Sequence, residues 1–154
     1  MTGPDGKLYY SESGGYYNGP LKRITRTTSF TPSSVSTQPL LVHAGEVITY
    51  LLHVSHAGTL SNTFALTATL SPSVALESAG SGLTFDANHV YWSGLLKGIQ
   101  TTTGTFAVHV TDPTTTPYFL TTPIEIDAPT LPPVFLPATV LVNPDVLFLP
   151  IVRK

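Results

Sequence analysis

Residues 45–56 read Gly45-Glu-Val-Ile-Thr-Tyr-Leu-Leu-His-Val-Ser-His56, and this stretch decides the fold of the chain. After the Gly-Glu turn, apolar side chains occupy every second position: Ile48, Tyr50, Leu52 and Val54. Successive side chains of a β-strand point to opposite faces, so this period of two places the four residues on one face. Leu51 lies on the other face. The pattern predicts a strand from Val47 to His56 with one buried face.

The same period of two recurs along the chain between turn signals. It predicts strands at Asn62–Leu70, Val74–Leu76, Leu83–Phe85, His89–Ser93, Thr105–Thr111 and Tyr118–Ile126. The further side chains predicted to face the core are Phe64, Leu66, Ala68, Leu70, Val90, Trp92, Phe106, Val108 and Val110. Residues 94–103 are predicted to be a long connection. Pro123 has no backbone N–H, so it marks the last strand as an edge strand or a bulged one.

Helix signals are nearly absent from the sequence. Its 154 residues include 14 prolines and 12 glycines, so few windows could hold three helical turns without a breaker. We therefore predict an all-β fold, an antiparallel β-sandwich made of residues 27–129. Residues 1–26 are predicted to form a β-hairpin from Lys7–Tyr10 and Leu21–Ile24, interpreted as the remnant of an upstream domain.

Residues 130–154 form an apolar segment that prolines interrupt repeatedly. It is too broken to cross a bilayer and too apolar for a solvated tail. We predict that it docks on the sandwich as an edge strand or a wrap. A partner-binding or sorting tail is the alternative. An apolar strand can also pair with a neighbour's sheet edge, which would give a homodimer through strand or tail exchange.

Charge and composition exclude several functions. Only 10% of the residues are charged, with 7 Lys plus Arg against 9 Asp plus Glu. Without a cluster of cations no face can displace phosphate counterions, so we expect no nucleic-acid partner. No run of about 18 apolar residues occurs, so we expect no membrane span. The chain has no cysteine, which excludes disulfides, thiolate catalysis and cysteine zinc sites.

The candidate metal ligands are few. His53 and His56 lie three residues apart, a spacing that puts them on opposite faces of a strand. Glu125 and Asp127 share a face and could suit Ca²⁺ if a loop supplied further oxygens, but pairs of this kind are more often solvent-facing edge charges. The remaining histidines, His43, His89 and His109, fall at outward or loop positions. We predict no metal site and no cofactor.

No catalytic group is predicted either. Serines and threonines are plentiful, but the Gly-x-Ser-x-Gly nucleophile motif does not occur. The Ala79–Gly82 loop has neither the lysine nor the following helix of a phosphate-binding loop. We therefore predict that the chain is not an enzyme.

Tyr16 and Tyr17 are the candidate ligand contacts. They lie with Tyr9 and Tyr10 around a glycine-rich connection. We predict that these rings pack the small hairpin against its neighbour. Aromatic rings also offer flat apolar faces that can stack on sugars, so the alternative is that they contact a glycan.

Three stretches together resemble the conserved-repeat domain of bacterial surface proteins. They are Gly45-Glu-Val-Ile-Thr-Tyr50, Trp92-Ser-Gly-Leu95 and Phe106-Ala-Val-His-Val110. The resemblance covers about residues 30 to 128 and implies an Ig-like β-sandwich, a domain that often occurs in tandem. Two positions depart from the family's pattern. His56 stands where the family has a turn Asn, and Ala68 where it has an Asp before an apolar-Pro pair.

The first 24 residues carry a second, shorter resemblance. Gly3-Pro-Asp-Gly-Lys-Leu-Tyr-Tyr10 with Leu21-Lys-Arg-Ile24 is similar to the last strands of a sugar-dehydrogenase-type β-propeller. This resemblance implies that a propeller lies upstream and that the chain is the C-terminal appendage of a larger secreted protein.

These features predict a non-catalytic structural or interaction module, a spacer or adhesion domain of an extracellular bacterial protein. Abundant Thr, Ser, Pro and Gly with few Lys are typical of secreted or cell-surface β-domains, and we expect any signal peptide to lie upstream. The expected partners are other domains of the parent protein or surface partners. A carbohydrate-binding accessory domain is the alternative function.

Overall fold

The structure is a computed structural model that describes residues 8–11, 21–24 and 28–144, with the backbone alone in the first two ranges. Those two ranges are strands β1 (Leu8–Ser11) and β2 (Leu21–Ile24). They pair antiparallel, with Leu8 opposite Ile24. The predicted N-terminal hairpin is therefore confirmed, while residues 12–20, which connect its strands, lie outside the described part.

Residues 28–144 contain strands and turns and no helix. The strands are β3 (Ser34–Gln38), β4 (Leu41–Val42), β5 (Val47–His56), β6 (Asn62–Thr69), β7 (Val74–Ala79), β8 (Leu83–Phe85), β9 (His89–Leu96), β10 (Gln100–Val110), β11 (Tyr118–Thr122), β12 (Ile124–Ala128), β13 (Leu131–Phe135) and β14 (Ala138–Val142). The predicted all-β class is confirmed.

The first layer is a four-stranded antiparallel sheet in the order β3-β5-β10-β7. Its central strand β5 has the predicted bounds, and its side chains alternate between the exposed and the buried face. Phe106 of β10 lies directly opposite Tyr50 of β5. Because β5 and β10 are both paired on two sides, these two aromatic residues lie at the centre of the layer.

The second layer contains the other eight strands of residues 28–144. Five follow one another in the order β13-β12-β6-β9-β8, and three more in the order β11-β14-β4. The two sets form one layer. β12 directly follows β11 and β14 directly follows β13, and the antiparallel register of β11 with β14 continues unchanged into the pairing of β12 with β13. Thr122 lies opposite Ala138, and Leu136 N–H donates to Ile124 O at 2.7 Å. Within this layer β4 runs parallel to its neighbour β14.

Prolines stand where a strand changes its partners. Pro123 separates β11 from β12, and the register places Pro137 opposite it, between β13 and β14. Pro39 follows a cis peptide bond and separates β3 of the first layer from β4 of the second. Proline has no N–H to donate, so each of these positions interrupts a ladder of hydrogen bonds.

The predicted strand Tyr118–Ile126 divides at Pro123, and the prediction that it is an edge strand or a bulged one is confirmed for β11, which among the described strands pairs with β14 alone. β12 is paired on both sides, and its bulge lies further along, between Ile126 and Ala128. Pro123 is tolerated inside the layer because it stands beside the end of β6, where Thr69 N–H donates to Pro123 O at 3.0 Å. At this position the hydrogen-bond ladder between β12 and β6 keeps the acceptor of Pro123 and loses only the N–H donor.

The core lies between the two layers. The predicted inward-facing side chains are all buried: Ile48, Tyr50, Leu52, Val54, Phe64, Leu66, Ala68, Leu70, Val90, Trp92, Phe106, Val108 and Val110. β14 adds Ala138, Val140 and Val142 to the same core. Burial of each large apolar side chain stabilises the fold by about 1.5–3 kcal/mol. The boundaries of the three predicted segments stay a prediction.

The predicted long connection at residues 94–103 is wrong. β9 continues to Leu96 and β10 begins at Gln100, so residues 97–99 alone connect them. Two glycines flank this stretch, Gly94 at its first residue and Gly104 directly after it, and both permit close packing. A Cβ on Gly94 would lie 2.8 Å from Phe64 Cε1, and one on Gly104 would lie 3.1 Å from Trp92 Cζ3. Each glycine leaves room for an aromatic ring of the core.

Tyr50 connects the two layers. Its buried ring stacks on Phe106, with centroids 4.5 Å apart and planes 4° apart. Its hydroxyl shares a hydrogen bond of 2.8 Å with Oγ1 of Thr122, a buried residue on β11 of the opposite layer. Burial raises the pKa of the Tyr50 phenol above its ordinary value, and the hydrogen bond with Thr122 offsets part of that rise.

We expect Tyr50→Phe to lower the free energy of unfolding by about 1–3 kcal/mol, because it leaves the Thr122 hydroxyl buried without a partner. Combining Tyr50→Phe with Thr122→Val removes both polar groups and should recover most of that loss. Urea denaturation of the parent and the two variants measures these values. A double variant no more stable than Tyr50→Phe would contradict the assignment.

Ionisation of the Tyr50 phenol should lower the free energy of unfolding at alkaline pH. It ionises near pH 10 in the unfolded chain and at a higher pH in the folded protein. The stability that depends on its neutral form is therefore complete below about pH 10 and is lost as the pH rises toward the folded pKa. Between about pH 9 and pH 11, Tyr50→Phe should lose less free energy of unfolding than the parent. Equal losses in urea titrations at the two pH values would refute this linkage.

Candidate functional site

The chain enters and leaves the sandwich at opposite ends. At one, here called the Ala57 end, Ser29 and Ala57 exchange two backbone hydrogen bonds of 2.9 Å. At the other, the Asn143 end, Asn143 N–H donates to Val42 O at 2.7 Å. Between them lies β5, whose 10 residues span about 33 Å. The geometry therefore separates the incoming from the outgoing chain by the length of the sandwich.

Asn143 fixes the outgoing chain with its side chain as well as its backbone. Its Oδ1 accepts from Ala44 N–H at 3.0 Å, and its Nδ2 donates to Thr114 O. The residue is buried and has a φ of +51°, in the left-handed region that Asn adopts more readily than most residues. Sequence reasoning missed it, although Asn followed by Pro144 is a turn signal.

β4 and β14 pair with each other although they lie near opposite ends of the described sandwich sequence. They run parallel, with Leu41 opposite Leu141, and Leu141 N–H donates to Leu40 O at 3.0 Å. The polypeptide reaches β4 from the Ala57 end through β3, and it leaves β14 at the Asn143 end. A pull on both ends of the chain therefore acts on these two strands in opposite directions, and it reaches β4 through β3.

The outer face of the first layer has a shallow depression of about 200 Å³. Its lining consists of Ser36, Gln38, Thr49, Leu51 and Thr105. The register places three of them, Ser36, Leu51 and Thr105, in one row across β3, β5 and β10. Leu51 was predicted to face outward and is exposed. None of these side chains ionises near neutral pH, so the depression can hydrogen-bond a neutral group but offers no acid or base.

Asp86 fastens the turn between β8 and β9. Its Oδ1 accepts from the backbone N–H groups of Asn88 and His89, both at 2.8 Å, and its Oδ2 accepts from the Tyr91 hydroxyl at 2.9 Å. These hydrogen bonds, that of Asn88 above all, lower the pKa of Asp86 to about 2. The carboxylate therefore holds a turn and is not poised to accept a proton near neutral pH.

The two histidines of β5 lie on opposite faces, as predicted. His53 is exposed, and His56 is fully buried. His56 Nδ1 lies 2.7 Å from Gly98 O, and its ring contacts Phe30 with centroids 5.1 Å apart. His56 thus bonds to the turn between β9 and β10 from the position where the resembled family has Asn. Ala68, the other departure, is buried in the core.

The remaining candidate ligands stand apart from one another. Glu125 and Asp127 are exposed on the same face of β12, as predicted. His109 Nδ1 lies 3.2 Å from Glu77 Oε2, across the pairing of β10 with β7. Of the other two predicted surface histidines, His43 is exposed and His89 is half-buried. Within the part of the chain that the structure describes, no three His, Asp or Glu side chains come together as a metal site requires.

Tyr16 and Tyr17, the candidate ligand contacts, lie outside the described residues. The Gly3-Pro-Asp-Gly6 turn, on which the propeller resemblance depends, also lies outside them. Both interpretations stay predictions. In residues 8–11, 21–24 and 28–144 there is no helix with the length and apolarity needed to cross a membrane.

No protein-family model matches the sequence, and neither does any curated protein. Solved structures do share the sandwich. The full-length major pilin SpaD from Corynebacterium diphtheriae aligns with a TM-score of 0.51 and 12% sequence identity, over 74% of this chain and 35% of the pilin. The major pilin subunit BcpA from Bacillus cereus aligns with a TM-score of 0.50 and 9% identity, over 89% of this chain and 54% of the pilin.

A third similar structure is the CARDB domain of a Pyrococcus furiosus protein, solved in complex with di-metal ions. It aligns with a TM-score of 0.49 and 13% identity, over 76% of this chain and 93% of that domain. At such low identities the two pilins show the fold alone: the chain is an Ig-like β-sandwich. It spans 35% and 54% of their lengths.

Two substitutions of Asn143 separate its side-chain bonds from its backbone conformation. Asn143→Gly keeps the positive φ and loses only the side-chain hydrogen bonds, so we expect a loss of about 1–2 kcal/mol in the free energy of unfolding. Asn143→Ala loses the same bonds and adds about 1 kcal/mol of backbone strain. Urea denaturation measures the difference, with the exposed Asn88→Ala as a control expected within about 0.5 kcal/mol of the parent. An alanine variant as stable as the glycine variant would contradict the role assigned to φ.

Proposed function

We propose that the chain is a non-catalytic spacer domain of an extracellular bacterial protein, which carries tension between the domains on either side of it. The observation that carries this proposal is the separation of the Ala57 end from the Asn143 end by the length of β5. Domains attached to the two ends would be held apart in a line, and the sandwich between them would keep that distance because its two layers enclose a continuous core.

Tension along this line acts on β4 and β14 in opposite directions. Because the strands are parallel and their hydrogen bonds lie across the direction of pull, the bonds of Leu141 and Asn143 must break together rather than one after another. Sliding would also expose Val42 and Val142, which are fully buried on these strands. The arrangement favours resistance to extension.

The chemistry of the described surface supports a role without catalysis. The depression near Leu51 has no ionised lining group, and the carboxylate of Asp86 is used within its own turn. Two solved major pilins share the fold, which supports a setting on a bacterial surface for this sandwich. The partners that we propose for this chain are the adjacent domains of its parent protein and molecules at the cell surface. In an adhesive role, the spacer would itself bind such a surface molecule.

Single-molecule force measurements test the proposal, since the chain has no cysteine and two introduced cysteines can serve as attachment points. Thr28→Cys with Pro144→Cys pulls from opposite ends. Thr28→Cys with Leu60→Cys pulls from two points at the Ala57 end and peels β3 away from β5 bond by bond. We expect the opposite-end pair to unfold at the higher force, because it loads all hydrogen bonds between β4 and β14 at once.

The two cysteine pairs should have the same free energy of unfolding in urea, within about 0.5 kcal/mol, because the replaced side chains are exposed or half-buried. Any difference in force then comes from the direction of pull. An opposite-end force equal to the peeling force, or below it, would count against a tension-bearing spacer.

A further inference from the structure

The outer face of the second layer carries an apolar patch near the Asn143 end. Leu41, Leu141 and Phe119 lie in one row across β4, β14 and β11. Phe119 is 73% exposed and Leu41 is 58% exposed, while Leu141 is half-buried. We call these three residues the Phe119 patch. Single exposed apolar residues are common, but a contiguous row across three strands indicates a surface that another segment covers.

We propose that residues 146–152 of the same chain cover the Phe119 patch. They read Val146-Leu-Phe-Leu-Pro-Ile-Val152 and contain no polar or charged side chain. They follow β14 after only Asn143-Pro-Asp145. Seven extended residues span about 23 Å, which is enough to run along a face whose strands have five residues each. The inference rests on observations separate from those of the spacer proposal, namely the exposed outer face and the composition of the segment. Tension on a downstream domain would have to peel this segment from the patch before it loads β14.

The short link between β14 and residue 146 favours binding of the chain's own segment to the patch over binding of the segment of a second copy. The polypeptide leaves β14 beside the patch, and the left-handed φ of Asn143 changes its direction there. A connection of three residues keeps the segment at an effective concentration in the millimolar range or above. A second copy at micromolar concentration cannot compete with an attached segment of the same sequence.

The sequence supplies a precedent for this packing within the same chain. Phe148-Leu-Pro150 repeats Phe135-Leu-Pro137, which begins at the last residue of β13 and leads into β14. In the described copy, Leu136 is half-buried and packs against the core, whereas Phe135 is 65% exposed. The leucine of the triplet is thus the residue with a precedent for packing on this sandwich.

Charge fits the same path. β11 and β12 run from the Asn143 end toward the Ala57 end, so a segment turning back over Phe119 would run alongside them. Exposed Glu125 lies six residues after Phe119, and Lys154 lies six residues after Phe148. With Phe148 over Phe119, the equal spacing brings Lys154 close to Glu125. An exposed pair of this kind adds little stability but favours this alignment over its reverse.

The reactivity of a single thiol tests the proposal in the full chain. Phe119→Cys places that thiol in the patch of a protein without other cysteines. We expect it to react with a thiol-specific chromophore about tenfold more slowly than in the same protein carrying Val146→Asp and Phe148→Asp, whose charges would lie on the face of the extended segment that meets the patch and would oppose its burial. Phe85→Cys is the control. Phe85 is 61% exposed on β8, at the opposite edge of the layer, so its rate should not depend on the two aspartates.

Equal rates for Phe119→Cys with and without the aspartates would overturn the proposal. Protection that increases with protein concentration would assign the cover to a second copy, and would overturn it as well. Protection that is constant from micromolar to millimolar protein and is lost with the aspartates supports it. Thr121→Cys, exposed on the same face of β11, provides a second probe with the same expectations if Phe119→Cys does not fold.

Discussion

A buried hydrogen bond between the hydroxyls of Tyr50 and Thr122 links the two layers across the core. Apolar burial has no direction, so the rest of the core would tolerate small shifts of one layer over the other. Separating two buried hydroxyls costs about 1–3 kcal/mol, which penalises such shifts. The stack of Tyr50 on Phe106 holds the phenol ring in place from within its own layer. We infer that this pair selects one alignment from the several that apolar packing alone would allow.

The faces of the strands could be predicted from the sequence, because the period of two is a direct consequence of strand geometry. The connections could not. Gly94 and Gly104 look like loop residues in one dimension, but their missing side chains make room for Phe64 and Trp92 of the second layer. A glycine that permits close packing and a glycine that permits a turn have the same sequence signal. Pro123 presents the same ambiguity, since its effect depends on where the neighbouring strand ends.

The candidate site was predicted less completely than the fold. Spacing predicted that His53 and His56 lie on opposite faces of β5 and that the two carboxylates of β12 share one face, and the structure has both arrangements. The parallel pairing of β4 with β14 was not predictable from the sequence. It places Leu41 opposite Leu141, which are far apart in the sequence, and β4 has only 2 residues. Periodicity cannot be recognised in so short a strand. The sequence signal that does mark this end of the sandwich is the Asn143-Pro144 dipeptide, which is typical of a turn.

Stability and resistance to force depend on different parts of this sandwich. The Tyr50 hydrogen bond and ring stack lie in the core and contribute to the free energy of unfolding, whereas β4 and β14 are loaded in opposite directions when the chain is pulled from both ends. On the N-terminal side the force reaches β4 only through the Ser29–Ala57 hydrogen bonds and β3. The Phe119 patch includes Leu41 and Leu141 of these same strands, so a segment that covers the patch also lies over the pairing. Covering the patch would shield the hydrogen bonds of this pairing from water, which otherwise competes for the same donors and acceptors.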